Sequence, residues 1–181
     1  MSAISDTGPL ISIFQSNSLD IVIALVGQVY STPTCVVELH NHGYAEAFAN
    51  GGSSISVRTL TAIEARQAFT FAQQIAADPL SKDSDPRNHL GEAEAMALAL
   101  RPQFIGEPLV IDERSARAVA KRAGFHVTGF AGLLLSAIGV GLLSAEQVKQ
   151  RLEACRHQGT HYSEKFVEEI YQSAQIIAKR S

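Results

Sequence analysis

Five short β-like runs, at residues 3–5, 28–31, 55–59, 109–111 and 126–128, are separated by longer segments of helical period. No other feature constrains the fold as much. Strands separated by helices cannot pair as tight hairpins. Each return needs a crossover, which makes the strands parallel and lays the helices on the faces of the sheet. The spacing predicts an α/β domain with helices on both faces of a central parallel sheet. Helix limits are marked locally. Thr32-Pro33 puts proline at the first helical position behind a capping threonine. Thr61 with Glu64, and Ser144 with Gln147, have capping-box spacing. Gly124 stops a helix that begins near Glu113. Residues 80–89 are the most polar stretch and read as an exposed loop inside the domain, because strand–helix alternation resumes after them. Beyond Ser144, two helices at about 144–157 and 163–179, joined around Gly159, form a helical appendage to the sheet.

The 181 residues suffice for one ordinary domain, and 46% apolar with 18% charged residues excludes a wholly disordered chain. A net charge of −3 excludes nucleic-acid binding by bulk charge, so any nucleic acid must meet a local basic patch. Two distant cysteines, Cys35 and Cys155, suit reduced thiols in a cytoplasmic protein better than a disulfide framework. The opening residues reach Asp6 at once, which does not read as a secretory leader. The longest apolar run, 130–143, is interrupted by Ser136 and several glycines and falls short of the roughly 18–20 residues of a membrane span.

Ligands of an open parallel sheet bind beyond the carboxyl ends of its strands. Asp6 follows the first run directly, and Asp112 follows Pro108-Leu-Val-Ile111. Either alone reads equally as a helix-capping Asp. Glu92, advanced by 100° per residue, falls in the apolar arc of Ala93, Met96, Ala97, Ala99 and Leu100, with Glu94 on the opposite side. A carboxylate aimed into an apolar face needs a partner, and a cation is one. Glu38 lies one turn into the helix opened by Thr32-Pro33, placed either for the cluster or for solvent. Glu113 either joins the cluster or favours the N-terminus of the next helix. Oxygen donors without His or Cys point to Mg²⁺ or Mn²⁺ rather than zinc, and such a site suits phosphodiester hydrolysis. Arg114, Arg117 and Lys121 lie at i, i+3, i+7, opposite Ala116, Val119, Ala120 and Ala123, as a basic strip beside Asp112 fit for a phosphate backbone, or as a plain solvated face. Thr7 either orients an acid or a water, or serves only the turn.

Other constellations are weaker. Glu38, His40 and His42 do not put two histidines on one helical face as a zinc protease pattern requires. No Gly-x-Gly-x-x-Gly, Walker or Gly-x-Ser-x-Gly motif occurs. A receiver domain would want an acid after a middle strand and a lysine after a later one, and neither 55–59 nor 126–128 is so followed.

In order along the chain, Asp6-Thr-Gly-Pro-Leu-Ile11, Pro33-Thr-Cys-Val-Val-Glu38-Leu, Gly91-Glu-Ala-Glu-Ala-Met-Ala-Leu-Ala99, Leu109-Val-Ile-Asp-Glu-Arg-Ser-Ala-Arg117, and Val127-Thr-Gly129 with Gly132-Leu-Leu-Leu135 resemble PIN-domain nucleases, in particular the prokaryotic VapC-like toxin group. The resemblance implies a three-layer α/β/α fold and an Mg²⁺- or Mn²⁺-dependent endoribonuclease that acts on RNA. It maps Asp6, Glu38, Glu92 and Asp112 onto the family's acidic quartet, with Glu92 where the family usually has Asp, and with Glu113 competing for the fourth place. It also implies a small antitoxin as partner and a homodimer. On this reading residues 1–143 are the PIN-like nuclease domain and 144–181 a C-terminal helical extension of it. A PIN-like module that binds RNA or protein without cutting is the alternative, and the intact quartet argues against it.

Overall fold

The computed structural model describes residues 2–180. Met1 and Ser181, the ends of the two expected units, lie outside them. All five expected strands form: β1 (Ser2–Ser5), β2 (Gln28–Ser31), β3 (Ile55–Val57), β4 (Leu109–Val110) and β5 (Val127–Thr128). They make one parallel sheet in the order β3-β2-β1-β4-β5, with Ala3 paired to Val29 and Ile4 to Leu109. Three strands are shorter than their apolar runs, although ladder-type hydrogen bonds continue past them. Asp6 N–H donates to Val110 O at 3.1 Å, Ile111 N–H to Thr128 O at 3.0 Å and Arg58 N–H to Ser31 O at 2.9 Å. The residues just beyond the strands are therefore held almost as firmly as the strands themselves.

Alternation along each strand divides the core between the two faces of the sheet. Ala3, Val29 and Val110 face a layer built from α1 (Thr7–Gln15), α2 (Leu19–Val26), α3 (Pro33–Asn41) and α8 (Phe130–Gly139). The short α4 (Ala45–Asn50) lies against this layer through Phe48. Ile4, Leu109 and Ile111 face α5 (Ala62–Ala76), α6 (Leu90–Ala99) and α7 (Arg114–Arg122). The result is a three-layer α/β/α fold. The last two helices, α9 (Ala145–His157) and α10 (Glu164–Ala178), bury Leu152, Cys155, Val167 and Ala174 in the same core as α8.

The local signals hold except at Thr32, which takes the N-cap position of α3 without a side-chain capping bond and turns its hydroxyl to Cys35 Sγ instead. Thr61 and Ser144 both close reciprocal capping boxes. Pro33 opens α3, and Gly124, at φ 86°, lies just beyond α7. Ala123, assigned to the apolar side of that helix, is exposed where the chain leaves it. The rotation argument for α6 needs correction. Ala93, Ala95, Met96, Ala97, Leu98 and Ala99 are all buried, so this helix has no single apolar arc. It is sandwiched between the sheet and α5, where its small alanines permit close approach. Glu94 is consequently half-buried, and Leu100, just past the last turn, is exposed. The polar stretch 80–89 is a loop for most of its length but ends in a 3₁₀ turn, Pro86–His89, whose last residue is buried. Among the described residues no helix is long and apolar enough to cross a membrane.

Candidate active site

The strand order runs outward in opposite directions from β1 and β4, which makes their junction the switch point of the sheet. A crevice forms there beyond the carboxyl ends. Asp6 leaves β1 into this crevice and is only 4% exposed. Asp112, two residues beyond β4, accepts a hydrogen bond from Phe130 N–H at 2.9 Å, at the N-terminus of α8, and one from the Tyr162 hydroxyl at 3.2 Å. Glu38 reaches in from α3 and accepts the Thr7 hydroxyl, so Thr7 does orient an acid. Glu92 projects from the first turn of α6.

Two glycines make this convergence feasible. A Cβ on Gly91 would lie 2.9 Å from Asp6 Oδ1 and 3.1 Å from Glu38 Oε2. Both carboxylates thus close over the bare backbone of α6, beside Glu92, where only glycine leaves room. A Cβ on Gly129 would run into Asp112 Oδ1 and Arg117 Nη1, so Gly129 plays the same part on the β4 side.

The electrostatics follow from this crowding. Burial pushes the Asp6 carboxyl up to about 7, and the charges of Glu38 and Asp112 add to the rise. Burial likewise raises Glu92, to about 10, with Asp6, Glu113 and Glu38 contributing. Asp112 is raised by burial, against the lowering pull of Phe130 N–H, Tyr162 and Arg117. Burial and the neighbouring Asp6 push the Cys35 thiol up to about 12, leaving it an inert occupant of the wall. Carboxylates packed this closely ionise together only when a countercharge joins them.

Asp112 and Glu113, adjacent in sequence, turn to different sides of the crevice. Asp112 faces α8. Glu113 accepts the Ser115 hydroxyl through Oε1, while its Oε2 is buried without a hydrogen-bond partner. Oε2 lies 3.4 Å from His89 Nδ1. Among the described residues, His89, Glu92 and Glu113 form a set whose ligand atoms all lie within 4.8 Å of one another. His40 and His42, near the end of α3, are exposed.

The basic strip separates into different roles. Arg114 is exposed at the mouth of the crevice and Lys121 is exposed further along α7. Arg117 is half-buried and donates to Ile111 O at 2.9 Å, which fixes the backbone leading to Asp112. A groove of about 780 Å³ opens beside the acids, with Tyr44, Lys82, Asp112, Glu113, Arg114 and Tyr162 in its walls.

Among the polar side chains of the site, His89 and Tyr162 were not singled out in the sequence. His89 closes the most polar stretch of the chain, and its only cue is its position three residues before Glu92. Tyr162 lies in the connection between α9 and α10, fifty residues from the acid it touches.

A family model for the PIN domain matches residues 2–176. The chain belongs to the PIN domain family. No curated protein and no solved structure matches it. PIN domains are in general metal-dependent nucleases, and the residues of this PIN domain fit a divalent cation. The glycine cradle at Gly91 brings two carboxylates together, the acids are partly or wholly removed from water, and a buried carboxylate oxygen of Glu113 lacks a hydrogen-bond donor.

Proposed function

We propose that this PIN domain is an endoribonuclease that uses Mg²⁺ or Mn²⁺ held by Asp6, Glu92 and Asp112, with Glu38 completing the set. The observation that carries this reading is the closure of Asp6 and Glu38 over Gly91 beside Glu92, with Asp112, two residues beyond β4, near enough for its charge to raise the Asp6 carboxyl. A bound divalent cation supplies Lewis acidity for attack of water on phosphorus and charge for the leaving oxygen. The chain's own groups preorganise the acids. Thr7 fixes the rotamer of Glu38, and Phe130 N–H together with the Tyr162 hydroxyl fix Asp112. Arg117 braces the turn that presents Asp112. Arg114 and Lys82, on the walls of the groove, are placed to meet phosphates, and Lys121 extends the positive surface along α7. Hydrolysis in this manner leaves a 5′-phosphate and a 3′-hydroxyl.

The motif resemblance to VapC-like toxins supports a toxin-type role in the cytoplasm, with a small antitoxin as protein partner and a homodimer as the working form. The two buried free cysteines suit that reducing compartment. The decisive experiment incubates the purified protein with mixed RNA in Mg²⁺, Mn²⁺ or EDTA and identifies the new ends. Cleavage in either metal, abolished by EDTA and leaving 5′-phosphates, is the expected result. Intact RNA in both metals, with the protein folded, would sink the reading.

A further inference from the structure

We propose that His89, Glu92 and Glu113 form a second divalent-cation site with one nitrogen donor, which shares Glu92 with the acidic set and prefers Mn²⁺ to Mg²⁺. The proposal goes beyond the ribonuclease reading and does not depend on RNA being the substrate. The three ligand atoms lie within 4.8 Å of one another. His89 ends the 3₁₀ turn before α6, Glu92 lies in the first turn of α6, and Glu113 precedes α7.

The imidazole decides the character of the site. The His89 side chain is 5% exposed, and its Nε2 lies 2.9 Å from the carbonyl oxygen of Asp83. A carbonyl only accepts, so Nε2 bears a hydrogen and is engaged there, which leaves Nδ1 on the Glu113 side of the ring. Nδ1 lies 3.4 Å from Glu113 Oε2. Glu113 Oε2 is buried there and receives no hydrogen bond, while its partner oxygen is occupied by Ser115. A ring nitrogen and a buried carboxylate oxygen that share a small space with Glu92 and make no hydrogen bond to each other are an arrangement a metal ion draws together. The bond from Nε2 to a backbone carbonyl is the usual outer contact of a metal-binding histidine, since it sets the tautomer and the ring orientation.

The mixed donor set explains the preference. Mg²⁺ takes oxygen ligands almost exclusively, whereas imidazole suits transition ions, among which Mn²⁺ also accepts carboxylates readily. Glu92 has two carboxylate oxygens and stands between this pair and the crowd of Asp6 and Glu38. It is therefore the residue through which the two cation positions are coupled.

The test is Mn²⁺ titration of the whole chain, with free Mn²⁺ counted by electron paramagnetic resonance and nitrogen coupling read by pulsed resonance. The parent should bind two Mn²⁺ and show ¹⁴N modulation from an imidazole. His89→Gln should bind one and lose the modulation. Glu113→Gln, at a half-exposed side chain, should also lose one Mn²⁺, which keeps the proposal testable if His89→Gln does not fold. Asp112→Asn should keep the modulated ion. A parent without ¹⁴N modulation, or a His89→Gln variant that retains it, overturns the proposal. Modulated Mn²⁺ binding in a protein that leaves RNA intact upholds this site and refutes the ribonuclease reading alone.

Discussion

Glu92 and Glu94 are two residues apart and both half-buried, yet their surroundings differ. Glu92 stands among Asp6, Glu38 and Glu113, and its carboxyl is raised to about 10 in the absence of metal. Glu92→Gln keeps size and removes the charge. Cleavage of RNA should drop by about a hundredfold, while the metal-free protein melts no lower at neutral pH, because folding no longer has to bind a proton at this position. Glu94→Gln should cleave like the parent. Single-turnover cleavage with circular dichroism on both variants checks this, and robust cleavage by Glu92→Gln would remove it from the metal shell. Tyr162 offers a second residue-scale test. Tyr162→Phe deletes the hydroxyl that Asp112 and Ser12 share. The expected loss is about 1 kcal/mol of stability and about tenfold in cleavage rate, measured by denaturant melts and initial rates. An unchanged rate would make the hydroxyl structural only.

Among the elements, α7 carries the test of the basic surface. Replacing Arg114 and Lys121 with Ala should weaken RNA binding and flatten its salt dependence without loss of fold, since both side chains are exposed. Arg117→Ala should instead lower the melting temperature, because it removes the bond to Ile111 O. Binding isotherms at several salt concentrations, beside thermal melts, separate the two effects, and equal salt slopes would return the strip to plain solvated surface. Helix α9 tests how far the final helices share the core. Leu152 is wholly buried there, so Leu152→Ala should cost about 2–5 kcal/mol. A cost near zero in a denaturant melt would mean that this helix rides on the domain without supporting it. The elements were also the level at which the sequence was most legible. All five strands coincide with their β-like runs to within two residues at either end, because apolar residues bounded by polar ends, as in β1 and β2, mark a buried strand, and the caps at Thr61, Ser144 and Gly124 depend only on near neighbours. Helix α6 misled because a helix buried on every side has no amphipathic rhythm to read. Asp6 and Asp112 were legible from their place after strands. The side chains of His89 and Tyr162 were not, because their roles arise from packing between segments distant in sequence.

At the scale of the whole molecule, acid crowding should appear in the response to pH. Asp6 and Glu92 both have folded pKa values above their ordinary ones of 3.8 and 4.5. The folded state therefore holds protons that the unfolded chain has already released. Stability is highest where both states are protonated and falls as pH rises, up to about pH 7 for Asp6 and about pH 10 for Glu92. The slope is at most about 1.4 kcal/mol per pH unit for each group. Melting temperature in EDTA should accordingly decline between pH 5 and 8. Stabilisation by Mn²⁺ should grow over the same range, because ligands must lose their protons to bind. A melting temperature in EDTA that is flat or rising across that window contradicts the crowded site. The contact between Tyr162 and Asp112 bears on the order in which the molecule is made. Synthesis delivers strand β4 and its acid fifty residues before the hydroxyl that holds that acid. A chain still growing past α8 can have its sheet in place, yet the connection that pins Asp112 has not been translated. Assembly of the sheet and completion of the acidic site are thus separate events in time, the second waiting on the residues after α9.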